Sequence, residues 1–121
     1  MPAIAGAERL TRTWEGIRQQ EQFGCTISIG LHLGTIYAFR SFLYGRDVWT
    51  ASQLQRASAE LLESDEDGIF VTGAVRSALF GTPSHNRLRA VTMQPLSAAL
   101  AGIEVYRLCS DASYYSGFRL Y

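Results

Sequence analysis

The sequence predicts an α+β domain, and three observations carry that prediction. Ile4, Ala7, Leu10, Trp14 and Ile17 recur at spacings of three and four, the single apolar stripe of an amphipathic helix. Cys25, Ile27, Ile29, Leu31 and Leu33 then alternate with Thr26, Ser28, Gly30 and His32, the period of a strand with one apolar face. Val48, Ala51, Leu54, Ser58 and Leu61 return to helical spacing. Across the whole chain the order is helix, hairpin, helix, strand, helix and two strands. That order predicts helices on one face of a mainly antiparallel sheet.

Each element has local reasons. The first helix runs from Ala3 to about Gln22, with Glu8 and Arg12 as an i,i+4 pair on its outer face. After the alternating strand comes Gly34, and Thr35 to Phe39 reads as a second strand. We expect it to pair as a hairpin with the first and return through Arg40 to Tyr44. Asp47 is placed to cap the second helix, its carboxylate accepting from a free N–H of the first turn at the positive end of the dipole. That helix ends before Glu63, Asp65, Glu66 and Asp67, and Gly68 closes the loop. Ile69 to Val71 is a short buried strand, and Thr72 is placed to cap a helix from Gly73 to Phe80, which Gly81 and Pro83 end. Arg87 to Gln94, stopped by Pro95, and Ile103 to Leu108 are further strands joined by the small-residue connection SAALAG. The tail carries Tyr114, Tyr115, Phe118 and Tyr121, too aromatic for an ordinary end; it adds a strand or docks on a partner.

Composition narrows the function classes. At 121 residues with 47% hydrophobic content the chain makes one folded domain with a core. Eleven arginines balance eleven acidic residues and lysine is absent, so no broad basic footprint for nucleic acid or anionic membrane exists. No apolar run reaches the length of a membrane span, and MPAIAGAERLTRTWEG lacks the basic start and apolar block of a signal peptide; we expect a cytoplasmic chain. Cys25 and Cys109, far apart and in no C-x-x-C pattern, read as buried reduced thiols.

The candidate chemical residues are few. Glu63, Asp65, Asp67 and Gly68 match the first, third, fifth and sixth positions of a calcium loop, but the twelfth, which needs a bidentate glutamate, is Ala74. A solvated helix-to-strand loop is the better reading, and no metal or other cofactor is expected. His32 lies on the polar face of its strand with no nucleophile or carboxylate at a recognisable spacing, so a satisfied structural histidine outweighs a catalytic one. His85 sits in the loop composition TPSHN. Trp49 and Gln53 share a flank near the second helix's N-terminus, where an anion would be held in an active relative.

Four segments in order resemble one family. GLHLG at Gly30 to Gly34 resembles the G-x-H-x-G strand end of class III nucleotidyl cyclases, the adenylate and guanylate cyclase homology domain. YGRDVWTASQLQ resembles its Y-G-D-x-V-N-x-A-A-R-L-x segment, GIFVTGAVRSALF its I-x-V-S-x-x-x-x-x-x-L strand and helix, and GIEVYRL its terminal P-V-x-V-Y-x-V strand. The resemblance covers 1–108 as the C-terminal part of such a domain, leaving 109–121 as the aromatic tail. It implies a ferredoxin-like sheet without the family's N-terminal strands. Gly30, His32, Gly34, Gly45, Asp47 and Val48 fall on framework positions.

The same resemblance implies that catalysis has been lost. Cyclisation of a nucleoside triphosphate takes two divalent cations held by paired aspartates, and the segment that carries them in the family has no counterpart here. The family's transition-state Asn and Arg correspond to Trp49 and Gln53, and its base-selecting residue to Phe42. Losing one such donor costs on the order of 10² to 10³ in rate. Apolar Phe42 and Trp49 are instead suited to filling a former nucleotide cleft or packing a second subunit. We therefore expect an inactive, degenerate cyclase-like domain acting in assembly or regulation of cyclic-nucleotide-type signalling, as a homodimer or with a larger partner. The alternatives are a partial subunit of an active cyclase completed by a partner, and a nucleotide-sensing module without turnover.

Overall fold

Gly68–Thr72 is buried at every residue, so both of its faces need a cover. That requirement organises the fold. The computed structural model describes residues 2–21, 26–62, 66–91 and 100–109. In chain order these form α1 (Pro2–Glu21), β1 (Ser28–Leu31), β2 (Tyr37–Phe39), β3 (Phe42–Tyr44), α2 (Arg46–Ala59), β4 (Gly68–Thr72) and α3 (Gly73–Ala78), then a 3-10 helix (Pro83–Arg87), β5 (Leu88–Val91) and β6 (Val105–Leu108). Cys25, Glu63, Asp65, residues 92–99 and the tail from 110 lie outside the described residues.

The main sheet has four strands in the order β1-β4-β6-β5. β1 runs parallel to β4, with Ile29 opposite Ile69, while β4–β6 and β6–β5 are antiparallel. The fold is therefore α+β with a mainly antiparallel, mixed sheet, as the element order predicts. The expectation that all helices share one face is corrected. Ile69 and Val71 pack with Ile4 and Ala7 of α1 and Val75 of α3 on one side, whereas Phe70 packs with Leu54 and Ala57 of α2 on the other. The cause is the apolar character of both faces of β4, which one layer of helices cannot cover.

The expected hairpin is corrected as well. β2 pairs with β3, Tyr37 opposite Tyr44 and Phe39 opposite Phe42, as a separate two-stranded ribbon; it does not pair with β1. Arg40 takes φ 56° in the two-residue turn, a conformation that usually selects Gly or Asn, and its guanidinium sits 5.5 Å from the Phe39 ring centroid. The stripe of α1 is buried only in part. Ile4 and Ala7 are covered, but Leu10 and Ile17 remain 52% and 40% exposed. The TPSHN segment, read as loop, forms most of the 3-10 helix, and Cys109 is a half-buried free thiol.

The acidic segment also does more than face solvent. Asp67 is only 7% exposed and its Oδ1 accepts from the Arg18 guanidinium at 2.7 Å and from the Ile27 N–H at 2.8 Å. One carboxylate thus joins the end of α1 to the first hydrogen bonds between β1 and β4, beside the Gly68 N–H donated to the Ile27 carbonyl. Glu66 pairs with Arg107 of β6 at 3.1 Å. Removing Asp67 strands a largely buried guanidinium and a backbone donor. Asp67→Ala is expected to lower the unfolding free energy by about 2–4 kcal/mol in urea denaturation; a change under about 0.5 kcal/mol, the range of an inert surface substitution, would refute the clamp.

Candidate functional site

Of the residues singled out in the sequence, His32, Gly34 and Asp47 meet at one end of β1, where the strand leaves the sheet toward α2. The side chains of β1 alternate, so Ile29 and Leu31 face α1 while Gly30 and His32 face α2. His32 is held at both ring nitrogens. Nε2 lies 2.7 Å from Asp47 Oδ1 and Nδ1 lies 2.8 Å from Thr72 Oγ1. An ionised carboxylate only accepts, so Nε2–H donates to Asp47, and in the neutral ring Nδ1 accepts the Thr72 hydroxyl proton. The second oxygen of Asp47 accepts from the Thr35 N–H at 2.8 Å.

One expected helix cap is corrected by this geometry: Asp47 lies inside α2, whereas Thr72 stands at the N-cap of α3 as expected. Neither Asp47 nor Thr72 makes a side-chain cap bond; the N-cap of α2 is Gly45, at φ 127°, which a side chain rarely adopts. The two side chains are committed to His32 instead. The satisfied-histidine reading of His32 therefore has named partners, including a carboxylate fifteen residues away that local spacing does not reveal. The glycines of GLHLG have steric reasons. A Cβ on Gly34 would sit 2.1 Å from Asp47 Cγ, and one on Gly30 would meet the Gln55 N at 3.0 Å and Leu54 Cγ at 3.1 Å. A Cβ at Gly34 would require the Asp47 carboxylate to shift, and one at Gly30 would press tightly on the α2 backbone.

Thr72, His32 and Asp47 stand in the order of a hydroxyl–imidazole–carboxylate array. Thr72 is 1% exposed inside the sheet, so no substrate reaches its Oγ1. The array is an anchor. Asp47 has its pKa lowered, first by the hydrogen bond from His32 and then by the Thr35 N–H. Its charge in the first turn of α2 disfavours a second anion at that helix end.

The positions that match the family's nucleotide site lie apart from this anchor. Gln53 is half-buried on α2, while Phe42 and Trp49 are exposed and fill no cleft within the chain, which corrects that part of the expectation. Phe42 belongs to a larger surface. In the β2–β3 register, Tyr37, Phe39, Phe42 and Tyr44 share one face of the ribbon, with the Tyr37 and Tyr44 rings stacked at 5.7 Å. All four and Trp49 are 51–69% exposed, and Leu33, Ile36 and Leu43 are exposed beside them in sequence. β3 contacts α2, which anchors the ribbon at its base.

A second feature is a cleft of about 470 Å³ between α1 and the β6 side of the sheet. Two of its guanidiniums are engaged: Arg87 with Glu8 at 2.6 Å and with the Cys109 carbonyl, and Arg107 with Glu66. Among the described residues no group of three or more His, Cys, Asp or Glu is placed to hold a metal ion, and no helix is long and apolar enough to cross a membrane.

No family model, curated protein or solved structure matches this chain.

The anchor has a pH signature with a definite sign. Because the folded-state pKa of Asp47 is lowered, its stabilising contribution is full above the ordinary carboxylate value and is lost as pH falls through and below it. Asp47→Asn is expected to flatten the acid limb of a stability–pH profile; an unchanged limb would refute the assignment. Gly34→Ala is expected to cost about 1–3 kcal/mol by overpacking, measured by thermal unfolding, and a neutral result would show that Asp47 can move aside.

Proposed function

We propose that this chain is a catalytically inactive, cyclase-like domain of the cytoplasm, acting in assembly or regulation of cyclic-nucleotide-type signalling, and that its aromatic ribbon is the assembly surface for a second copy. The carrying observation is the solvent exposure of Tyr37, Phe39, Phe42, Tyr44 and Trp49 in a single stretch of chain. A buried aromatic covers about 150–250 Å², so these five leave roughly 500 Å² uncovered before Leu33, Ile36 and Leu43 are added. Monomers rarely tolerate an apolar patch beyond a few hundred Å². A standard interface takes about 800 Å² from each partner, which this surface approaches without recruiting any other element.

The same residues argue against turnover. Phosphoryl chemistry requires donors where charge develops, and at the two positions that the cyclase resemblance assigns to them stand an exposed indole and one amide, with an exposed phenyl ring at the base-selecting position. The Phe42 ring can neither donate nor accept a conventional hydrogen bond, and the Trp49 indole N–H is a single neutral donor in place of a charged or bidentate one. The α2 N-terminus, the other natural anion site, already carries the Asp47 carboxylate.

Two measurements check this reading. The purified chain is expected to form no cyclic nucleotide from Mn-ATP or Mn-GTP; any turnover above the blank refutes inactivity. By light scattering the chain is expected to be dimeric at micromolar concentration, and Phe42→Asp with Trp49→Asp to yield a monomer whose unfolding free energy stays within about 0.5 kcal/mol of the parent. A monomeric parent refutes the assembly surface.

A further inference from the structure

The ribbon needs an apolar counter-surface, and a second unpartnered feature of the same chain supplies one. β1 is an edge strand, with no neighbour among the described residues on its outer side. The Gly68 N–H is donated to the Ile27 carbonyl, so Ile27, Ile29 and Leu31 turn their backbone groups toward β4 while Ser28 and Gly30 turn theirs outward. Edge strands are ordinarily blocked by charge, proline or a bulge. β5, the opposite edge, carries exposed Arg89, whose guanidinium donates to the Asn86 and Leu88 carbonyls. β1 reads SIGL and carries no such block.

Helix α1 packs over β4, the neighbour of that open edge, with Ile29 and Leu31 of β1 partly buried against the same cluster. The flank bearing Glu8, Arg12 and Glu15 lines the cleft shared with Arg87 and Arg107, on the β6 and β5 side. At 100° per residue, Leu10 and Ile17 fall on the opposite flank, the one turned toward the β1 side of the sheet, and both are exposed. An added strand beside β1 would find backbone partners at Ser28 and Gly30 and an apolar roof at Leu10 and Ile17. The chain's own ribbon comes soon after β1 in sequence but does not take this place. Asp47, bonded to His32 and to the Thr35 N–H, draws the connection toward α2 and away from the edge.

We infer that the ribbon of each copy adds to the β1 edge of the other, in a two-fold dimer with reciprocal arm exchange. This rests on the proposed assembly role of the ribbon and names its acceptor. The fit is specific: three-residue strands meet a four-residue edge, both outer edges of the ribbon lack a strand partner among the described residues, and the Tyr37, Phe39, Phe42, Tyr44 face packs beneath Leu10 and Ile17. Two-fold closure satisfies both copies at once and leaves no open end.

Two double variants of the full chain test it, with circular dichroism as the check on folding, since every altered side chain is at least 40% exposed. Arm variant Phe39→Asp/Phe42→Asp and roof variant Leu10→Asp/Ile17→Asp are each expected to weaken self-association by more than about tenfold. An equimolar mixture is expected to recover heterodimer, because the arm variant keeps an intact roof and the roof variant an intact arm. A roof variant that remains dimeric overturns arm exchange while leaving the ribbon as an assembly surface, as a ribbon-to-ribbon dimer would require. Loss in both variants without recovery on mixing also overturns it. A monomeric parent overturns both readings.

Discussion

The structure depends on one carboxylate. Asp47 takes the His32 ring with one oxygen and the Thr35 N–H with the other, and through His32 it reaches Thr72 at the end of the central strand. Three segments far apart in sequence, the end of β1, the start of α2 and the junction of β4 with α3, are thereby held at one point. The close approach sets a Cβ at Gly34 against the Asp47 carboxylate and makes one at Gly30 tight against α2. It also directs the chain after β1 away from the sheet. The segment beyond Thr35 must then project, and the aromatic ribbon is the result.

Asp67 plays the corresponding part at the other end of β1. Its bonds to Arg18 and the Ile27 N–H set where β1 begins to pair, so β1 is tied at both ends by acidic side chains from other elements. Between these ties the sheet is covered on both faces, α1 and α3 on one and α2 on the other. The outer edge of β1 is left without a covering element among the described residues. Apolar side chains on the ribbon and on the α1 flank then stand exposed around a well-packed interior. Such a distribution suits a surface that is completed by another molecule.

Hydroxyl, imidazole and carboxylate in sequence are commonly read as a catalytic array. Here burial decides otherwise, because a hydroxyl inside a sheet cannot meet a substrate. The same three groups make a good anchor: each polar atom is satisfied, and the charged member stays at the rim where water screens it. Function is better sought in what the anchor releases to solvent than in the anchor itself.

Periodicity alone made α1, β1, α2 and β4 legible, because the alternation of Ile29 and Leu31 and the spacing of Leu54 and Ser58 record which side of each element is buried. It determined the α+β class, whereas the glycines of GLHLG stood out only through the family resemblance. It did not tell one face of the sheet from two, since the helical stripes of α1 and α2 are each one-sided and only the packing of Phe70 against one and Val71 against the other separates them. Asp47 and Thr72 have the right residue type for caps, and Thr72 does stand at the α3 N-cap, but local rules misplace Asp47 and miss the bond each side chain makes; a histidine brought near by the sheet takes their oxygens instead. Likewise Phe42 and Trp49 are apolar, which sequence reads as buried, yet exposure depends on whether a surface lies within reach. Residue chemistry thus determined which elements form, and tertiary structure decided which side chains meet, because hydrogen-bond partners and covering surfaces come from segments that local sequence cannot see.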